Sequence, residues 1–480
     1  MSSRRSPAHP TWKTSRSKKE PDLRHGMDLP KATALESAAF LLDVFLPTAA
    51  KGPLIRRPKV EAAAERLGLD DRAVRRMAKL ARKYPDGPLM LRIPGRQQAV
   101  VLQPEHLHNV LANSPEPFSP ASSEKKAALA HFEPRFVLIS EGPERTARRA
   151  LQEQVLDAHS PVHRLAASFL PIVREESDQL LQHAKDAGPS GTLELGWDNF
   201  IQSWDRMVRR VVFGDNARED HELTNMLARL RGNANWSFLK RQDTRLRTKF
   251  LSRVEDRMKH AEQGSLAYAI ANMHPGQQAA PVDQIPQWLF ALETTGIATF
   301  RTLALLATHP DHLATAKAEV QRDESQRQHL PFLRACVLES LRLWTTTPVI
   351  LRQSTREVQW PDGDMGTGCG ILIYVPYFHR DEAHVPQAHS FTPERWLDPN
   401  DDEGWPLVPF SEGPVFCPGR QLALMLSSAV LASLIEKSSF RLSSEHALDP
   451  QTRLPGALNN YSLRFAVMGT QLDGSRERAA

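Results

Sequence analysis

The sequence predicts one large, mainly α-helical domain with small β-sheets. Three observations carry that prediction. Hydrophobic residues make up 41% and charged residues 24% of 480, enough apolar surface for a sizeable core and ordinary for a globular chain. Helical periodicity dominates the first two thirds, and strand-like text is short and gathers towards the end. No fixed-period repeat and no clean linker divides the chain. Residues 1–26 read as a disordered basic leader and 27–480 as the folded domain.

The elements follow in order. Lys31 to Ala81 reads helical, with Asp70 as an expected N-cap. Residues 89–102 form a hairpin around Pro94-Gly95. Residues 112–135, polar and rich in Pro and Ser, read as a long loop, and such loops are often functional. Helices dominate from Pro143 to Gly276. A long apolar helix covers Pro286 to Thr308 and stops at His309-Pro310, and another covers Leu330 to Leu343. After Pro348 come short strands, then an irregular Pro-rich stretch, then a helix from Gln421 to Lys437.

Charge excludes one class of function. The leader to Lys31 holds eight Lys/Arg against three Asp/Glu, which accounts for the whole net charge of +5. The body is balanced, so a nucleic-acid binder is not expected. Three cysteines without paired spacing argue against a disulfide framework or a structural zinc site. The apolar stretch from Ala34 to Ala50 is broken by Glu36, Asp43 and Pro47, so no transmembrane anchor is expected, and the location expected is cytoplasmic.

Three clusters carry chemistry. A free cysteine is usually a small buried hydrophobe. Cys417 differs, because Gly413 and Gly419 flank it and a helix begins just after it. The glycines let backbone approach a flat ligand, and the helix N-terminus favours a thiolate. Phe410 is placed to shield the sulfur. Glu339 and Arg342 sit at i, i+3 in an apolar helix, so the pair is expected to be buried and to need a further partner, which the segment Phe391–Trp396 can supply. In the long apolar helix, Glu293, Thr294, Thr295 and Gly296 conflict with their surroundings, as residues at functional sites often do. An acid beside a hydroxyl suits proton relay to a bound ligand.

These residues together resemble the cytochrome P450 family. Phe410, Gly413, Cys417 and Gly419 match its cysteine-loop signature, and Val415 stands where the family usually has Arg or His. The resemblance covers roughly residues 85 to 468 and implies the P450 fold. It implies heme b (iron protoporphyrin IX) with Cys417 as its axial thiolate, and a structural triad of Glu339, Arg342 and Arg395. It assigns the acid to Glu293 and the alcohol to Thr294, with Thr295 as second candidate. Phe290 and Ala291 replace the family's Ala-Gly pair, which implies a tighter pocket. Arg145, Arg149 and Arg352 align with propionate-binding positions, Arg148 reads as a solvated neighbour, and Phe378 to Asp381 reads as structural.

The implied activity is a monooxygenase that inserts one oxygen atom of O₂ into a C–H or double bond of a mainly apolar small molecule. Phe290, Ala291, Thr294, residues 346–350 (Thr346 and Val349 among them), the 112–135 loop and the turn near Leu458-Asn459 are expected to line the pocket. Electrons are expected from a separate ferredoxin or flavodoxin docking near Arg148 and Arg420. The alternatives are a peroxygenase or isomerase that does not use O₂, and a non-catalytic haem or ligand sensor.

Overall fold

The computed structural model describes residues 28–186, 193–274, 276–322, 327–398 and 405–469. The basic leader lies outside them. Helices carry most of the chain, and the central one is Ile285–Thr308. Pro286 in its first turn is compatible with a start there, since the N–H it lacks would have no helical partner. From Gly296 to Leu306 every residue is buried, so the C-terminal half is wrapped on all sides. The run Gln277–Thr308 is long and apolar enough to cross a membrane by length and composition, but 72% of its most apolar window is buried in the fold, which marks a core helix.

Helices Trp197–Phe213, Pro331–Leu343 and Arg420–Lys437 pack against the central helix, and Ala166–Asp186 packs on the outer side of two of them. Aromatic rings join these layers. Phe200 and Phe300 lie 4.8 Å apart, and Phe300 meets Phe465 edge-on at 5.2 Å.

The strands are β1 (Leu89–Ile93), β2 (Arg96–Val101), β3 (Phe118–Ser119), β4 (Leu193–Gly196), β5 (Val349–Ser354), β6 (Val358–Trp360), β7 (Gly363–Met365), β8 (Gly370–Tyr374), β9 (Ser438–Leu442) and β10 (Arg464–Gly469). The largest sheet has the order β1-β2-β8-β5-β3, the second β4-β10-β9, and β6 pairs with β7. Among the described strand pairs, β2 and β8 alone run parallel. The register Val349↔Tyr374 and Arg352↔Ile371 holds β5 on β8. The first sheet and the N-terminal helices share a second core, separate from the helical one.

The mainly α fold with small sheets is as the sequence predicts, as are the hairpin at Pro94-Gly95 and the helices near 286–308, 330–343 and 421–437. Two expectations are corrected. The N-cap position of helix Leu69–Lys83 belongs to Gly68, and Asp70 sits in the first turn bonded to Lys51. There its charge faces the helix's positive end and a cation at once. The stretch 112–135 is also not all loop: it contains β3 and the helix Ser123–Leu129, capped by the Ser122 hydroxyl.

Candidate active site

A cavity of about 340 Å³ opens between the central helix, the cysteine loop, β5 and the segment Gly52–Arg56. The cysteine loop forms its first wall. Phe410, Val415 and Cys417 line the cavity, and the Cys417 N–H donates to the Phe410 carbonyl at 2.9 Å. Gly413 has φ +66, and a Cβ there would come within 2.3 Å of the Leu111 carbonyl oxygen. Its glycine is therefore demanded by close approach to the helix Pro104–Ala112, not by a ligand. At Gly419 a Cβ would reach Cys417 Sγ only at 4.0 Å, so protein atoms leave room there.

Cys417 is one of three free cysteines, with Cys336 and Cys369. Burial pushes its thiol up from the usual value, against the Gly419 N–H and the charges of Arg149 and Arg420. The expected thiolate preference therefore does not arise from the helix end alone. A cation on the sulfur is needed to complete it.

The triad residues stand together. Arg342 clasps Glu339 with Nε at 2.8 Å and Nη2 at 2.7 Å, both residues fully buried. Arg342 also donates to the carbonyls of His379, Ala388 and Ser390. Glu339 accepts from the Thr392 N–H at 3.0 Å and Trp396 Nε1 at 2.9 Å, and Arg395 Nε lies 3.4 Å away. Burial opposes its charge, but Arg342, Arg395 and the Trp396 N–H overcome it and hold Glu339 below the usual carboxylate value. His379 continues the frame, its Nε2 accepting from the Val408 N–H just before the cysteine loop.

On the central helix, Phe290, Ala291, Glu293, Thr294 and Thr295 all line the cavity. Thr294 Oγ1 donates to the Ala291 carbonyl at 2.7 Å and Thr295 Oγ1 to the same oxygen at 3.1 Å. Gly296 makes room for Trp204, whose ring a Cβ would meet at 3.0 Å, and the Trp204 indole donates to the Leu292 carbonyl at 2.7 Å. The sequence reading missed Arg231, which is buried. It pairs with Glu293, donates twice to the Leu54 carbonyl, and lies over the Phe290 ring at 4.4 Å. Its signal was a charged residue between the apolar positions of helix His221–Ala234. Nearby, burial and then the charge of Glu293 push Asp205 up to about 7.

The remaining lining separates what was expected from what was not. Thr346, Thr347, Val349 and Ile350 line the cavity. The Leu458-Asn459 turn does not. Both residues are buried elsewhere, and Tyr461 takes that place. Lys125, inside the presumed loop, also lines the cavity and was missed because its helix was missed. Arg148 is corrected from solvated to buried, held by Ser140, the Gln278 carbonyl and Glu144.

Lys125, Arg145 and Arg352 are the decisive group. Lys125 Nζ donates to the Leu351 carbonyl at 3.1 Å, Arg145 Nη1 to the Val137 carbonyl at 2.6 Å, and Arg352 Nε to Ser114 Oγ at 3.0 Å. Among the described residues, none of the three has a carboxylate partner. Burial and then Arg145 bring Arg352 down to about 10, and burial and then Arg149 do the same for Arg145. Burial, then Arg352 and Arg145, hold Lys125 well below its usual value. Arg149 bonds Glu153 and the Phe416 carbonyl, yet its buried Nη2 has no hydrogen-bond partner.

Residues 286–464 match the family model described as Cytochrome P450. From the central helix to β10, this stretch is similar to the cytochrome P450 family. Curated relatives include sugiol synthase of Salvia miltiorrhiza, 32% identical over 174 residues, or 34% of this chain and 35% of that protein. Another is methyltetrahydroprotoberberine 14-monooxygenase of Papaver somniferum, 28% identical over 190 residues, or 37% and 35%. The matched stretch thus spans about a third of these relatives' length. Among solved structures, a zebra fish cytochrome P450 with abiraterone superposes with TM-score 0.64 at 19% identity, over 82% of this chain and 98% of that one. A retinoic acid-bound cyanobacterial P450, CYP120A1, gives 0.64 at 17%, over 82% and 93%.

Haem b is the P450 cofactor, and the residues present fit it. Its two propionates would supply the carboxylates that Lys125, Arg145, Arg352 and the free Arg149 Nη2 lack. Its iron suits the Cys417 sulfur, and the lining at Leu156, Leu292, Ile297, Ala298 and Leu422 suits its apolar body. Val415 is apolar and buried in this wall, so the loop offers no cation there, and Lys125 offers one instead.

Proposed function

We propose that this chain is a haem-thiolate monooxygenase acting on a mainly apolar small molecule, with electrons from a separate redox protein. The observation that carries the reading is one cavity lined both by Cys417 and by an acid and two hydroxyls on a buried helix. When bound, haem supplies dioxygen binding and activation. Cys417 provides the sulfur ligand, held by its N–H bond to Phe410 O. Glu293 brings protons to the cavity, and the Thr294 or Thr295 hydroxyl, seated on Ala291 O, relays them. Burial and then the charge of Glu293 push Asp205 up to about 7, so a second acid that feels the Glu293 charge keeps part of its protons near neutral pH. The aromatic and aliphatic lining around Phe290 excludes water and selects an apolar substrate.

A second reading is favoured by one observation. Glu293 is tied to Arg231, and an acid held ionised by a guanidinium is a poor proton donor. That suits a peroxygenase driven by peroxide. Two measurements decide. The reduced protein with carbon monoxide should give the red-shifted thiolate-type band, and Cys417→Ala should abolish it. Product should then depend on O₂ and on reduced ferredoxin or flavodoxin, and Thr294→Ala should uncouple electron use from product. Equal turnover with peroxide alone would establish the second reading.

A further inference from the structure

The propionates answer four cations of the cavity wall, and Arg231 already holds the Glu293 carboxylate. One further guanidinium has no acid of its own. Arg301 stands on the central helix, four residues past Ile297 and three past Ala298, so it shares their cavity-facing side one turn further on. It is 7% exposed. Its Nη1 donates to the Trp344 carbonyl at 3.2 Å, and its buried Nε has no hydrogen-bond partner. Among the described residues, no carboxylate lies within ion-pair distance of it. Burial lowers Arg301 from the usual guanidinium value, with Glu61 opposing that shift and Arg56 adding to it. A buried charge with so few partners is costly unless something completes it.

Two cavity residues meet Arg301 at the same corner. Arg56 Nη2 donates to the Thr346 carbonyl at 2.6 Å, two residues past the carbonyl that Arg301 holds. The acids nearby are engaged elsewhere. Glu61 lies 3.5 Å from Arg56 Nη1, and Glu65 accepts from the Asn459 N–H at 3.3 Å. Tyr461 is fixed by its ring, edge-on to Trp197 at 5.6 Å, and by its N–H, which donates to the Asn459 side chain at 3.2 Å. Its hydroxyl has no hydrogen-bond partner among the described residues, and the charges of Arg56 and Arg301 both reach it. Burial, then Glu61 and Glu293, push that hydroxyl up to about 12, so it stays a donor at neutral pH.

This corner is separate from the propionate group. The charges that shift Arg301 come from Glu61, Arg56, Tyr461 and Glu65, whereas the charge that shifts Arg352 comes from Arg145. Two guanidinium groups and a phenol are all donors, and a flat carboxylate is the group they match. We propose that Arg301, Arg56 and Tyr461 bind a carboxylate of the substrate, which is then an apolar body carrying one acid group. The proposal rests on the reading of this cavity as the substrate site.

The test is calorimetric titration of the haem-loaded protein with dodecanoate and with 1-dodecanol, which share a chain and differ in charge. Dodecanoate should bind about tenfold tighter or more, the size of a charge-assisted hydrogen bond. Arg301→Met, Arg56→Gln and Tyr461→Phe should each narrow that gap by weakening the acid alone, while keeping the wild-type carbon monoxide spectrum. An arginine that merely ties the Trp344 carbonyl would affect acid and alcohol alike. Should Arg301→Met fail to fold, the other two variants carry the test. Equal binding of acid and alcohol to the wild type would overturn the proposal. So would a gap that every folded variant keeps, since the acid would then be read elsewhere. Titration needs no turnover, so tight binding of the acid without O₂-dependent product would sink the monooxygenase reading and leave this one standing.

Discussion

Glu339 and Arg342 are buried and answer each other's charge through two short hydrogen bonds, with further partners on both sides. Arg145 and Arg352 are buried and Lys125 is half-buried, but they meet only neutral oxygens. The difference teaches how to tell a strut from a socket. A closed network of charges holds the backbone of Pro331–Leu343, His379 and Ser390 in one arrangement. An open one is tolerated only if a ligand completes it, because an unanswered buried charge is costly.

The largest effect should come from opening the closed network. Arg342→Leu leaves Glu339 without its main partner and should cost about 3–5 kcal/mol in urea denaturation of the haem-free protein. Lys125→Met in the same assay should cost nothing or stabilise. Comparable losses in both would erase the distinction. Next in size is cofactor retention. Lys125→Met and Arg352→Met should each weaken haem binding about ten- to hundredfold, the range for a charge-assisted hydrogen bond, as read by transfer to apomyoglobin.

A smaller effect follows from pH. Lys125 has a lowered value in the folded haem-free protein, so the unfolded chain binds more protons. Its contribution to stability therefore rises with pH, from its lowered folded value up to about 10.5, where the unfolded lysine also loses its proton. Denaturation midpoints of the haem-free protein should climb over that window, and Lys125→Met should remove its share of the climb. The smallest effect is on the redox partner. Arg420 is exposed and Arg148 is not. Arg420→Glu should slow reduction a few-fold at low salt, with the gap closing at high salt. Arg148→Gln should leave that salt dependence unchanged.

The closed network was the more legible of the two regions. Glu339 and Arg342 share one helical face, and spacing alone puts them in contact. The partners of Lys125 and Arg231 come from far along the chain. Lys125 reaches Leu351, and Arg231 reaches Leu54 and Glu293. No local pattern encodes such contacts. Lys125 was further hidden because proline and serine around Ser123–Leu129 suggest loop, whereas the Ser122 cap starts a helix there. Gly413 was correctly singled out but for a different neighbour, since the crowding comes from Leu111 and not from a ligand. The Leu458-Asn459 turn shows the reverse error: a nearby segment was right and the residue that reaches in, Tyr461, was two further on.

The shared acceptor on the central helix has a consequence of its own. The hydroxyls of Thr294 and Thr295 converge on one carbonyl, Ala291 O. If either swings away, the oxygen keeps the other, so the helix is never left with that partner missing. The protein thus holds a donor in reserve. Loss of either threonine alone should leave Ala291 O its second side-chain donor, and only the double replacement strips this carbonyl of both hydroxyls.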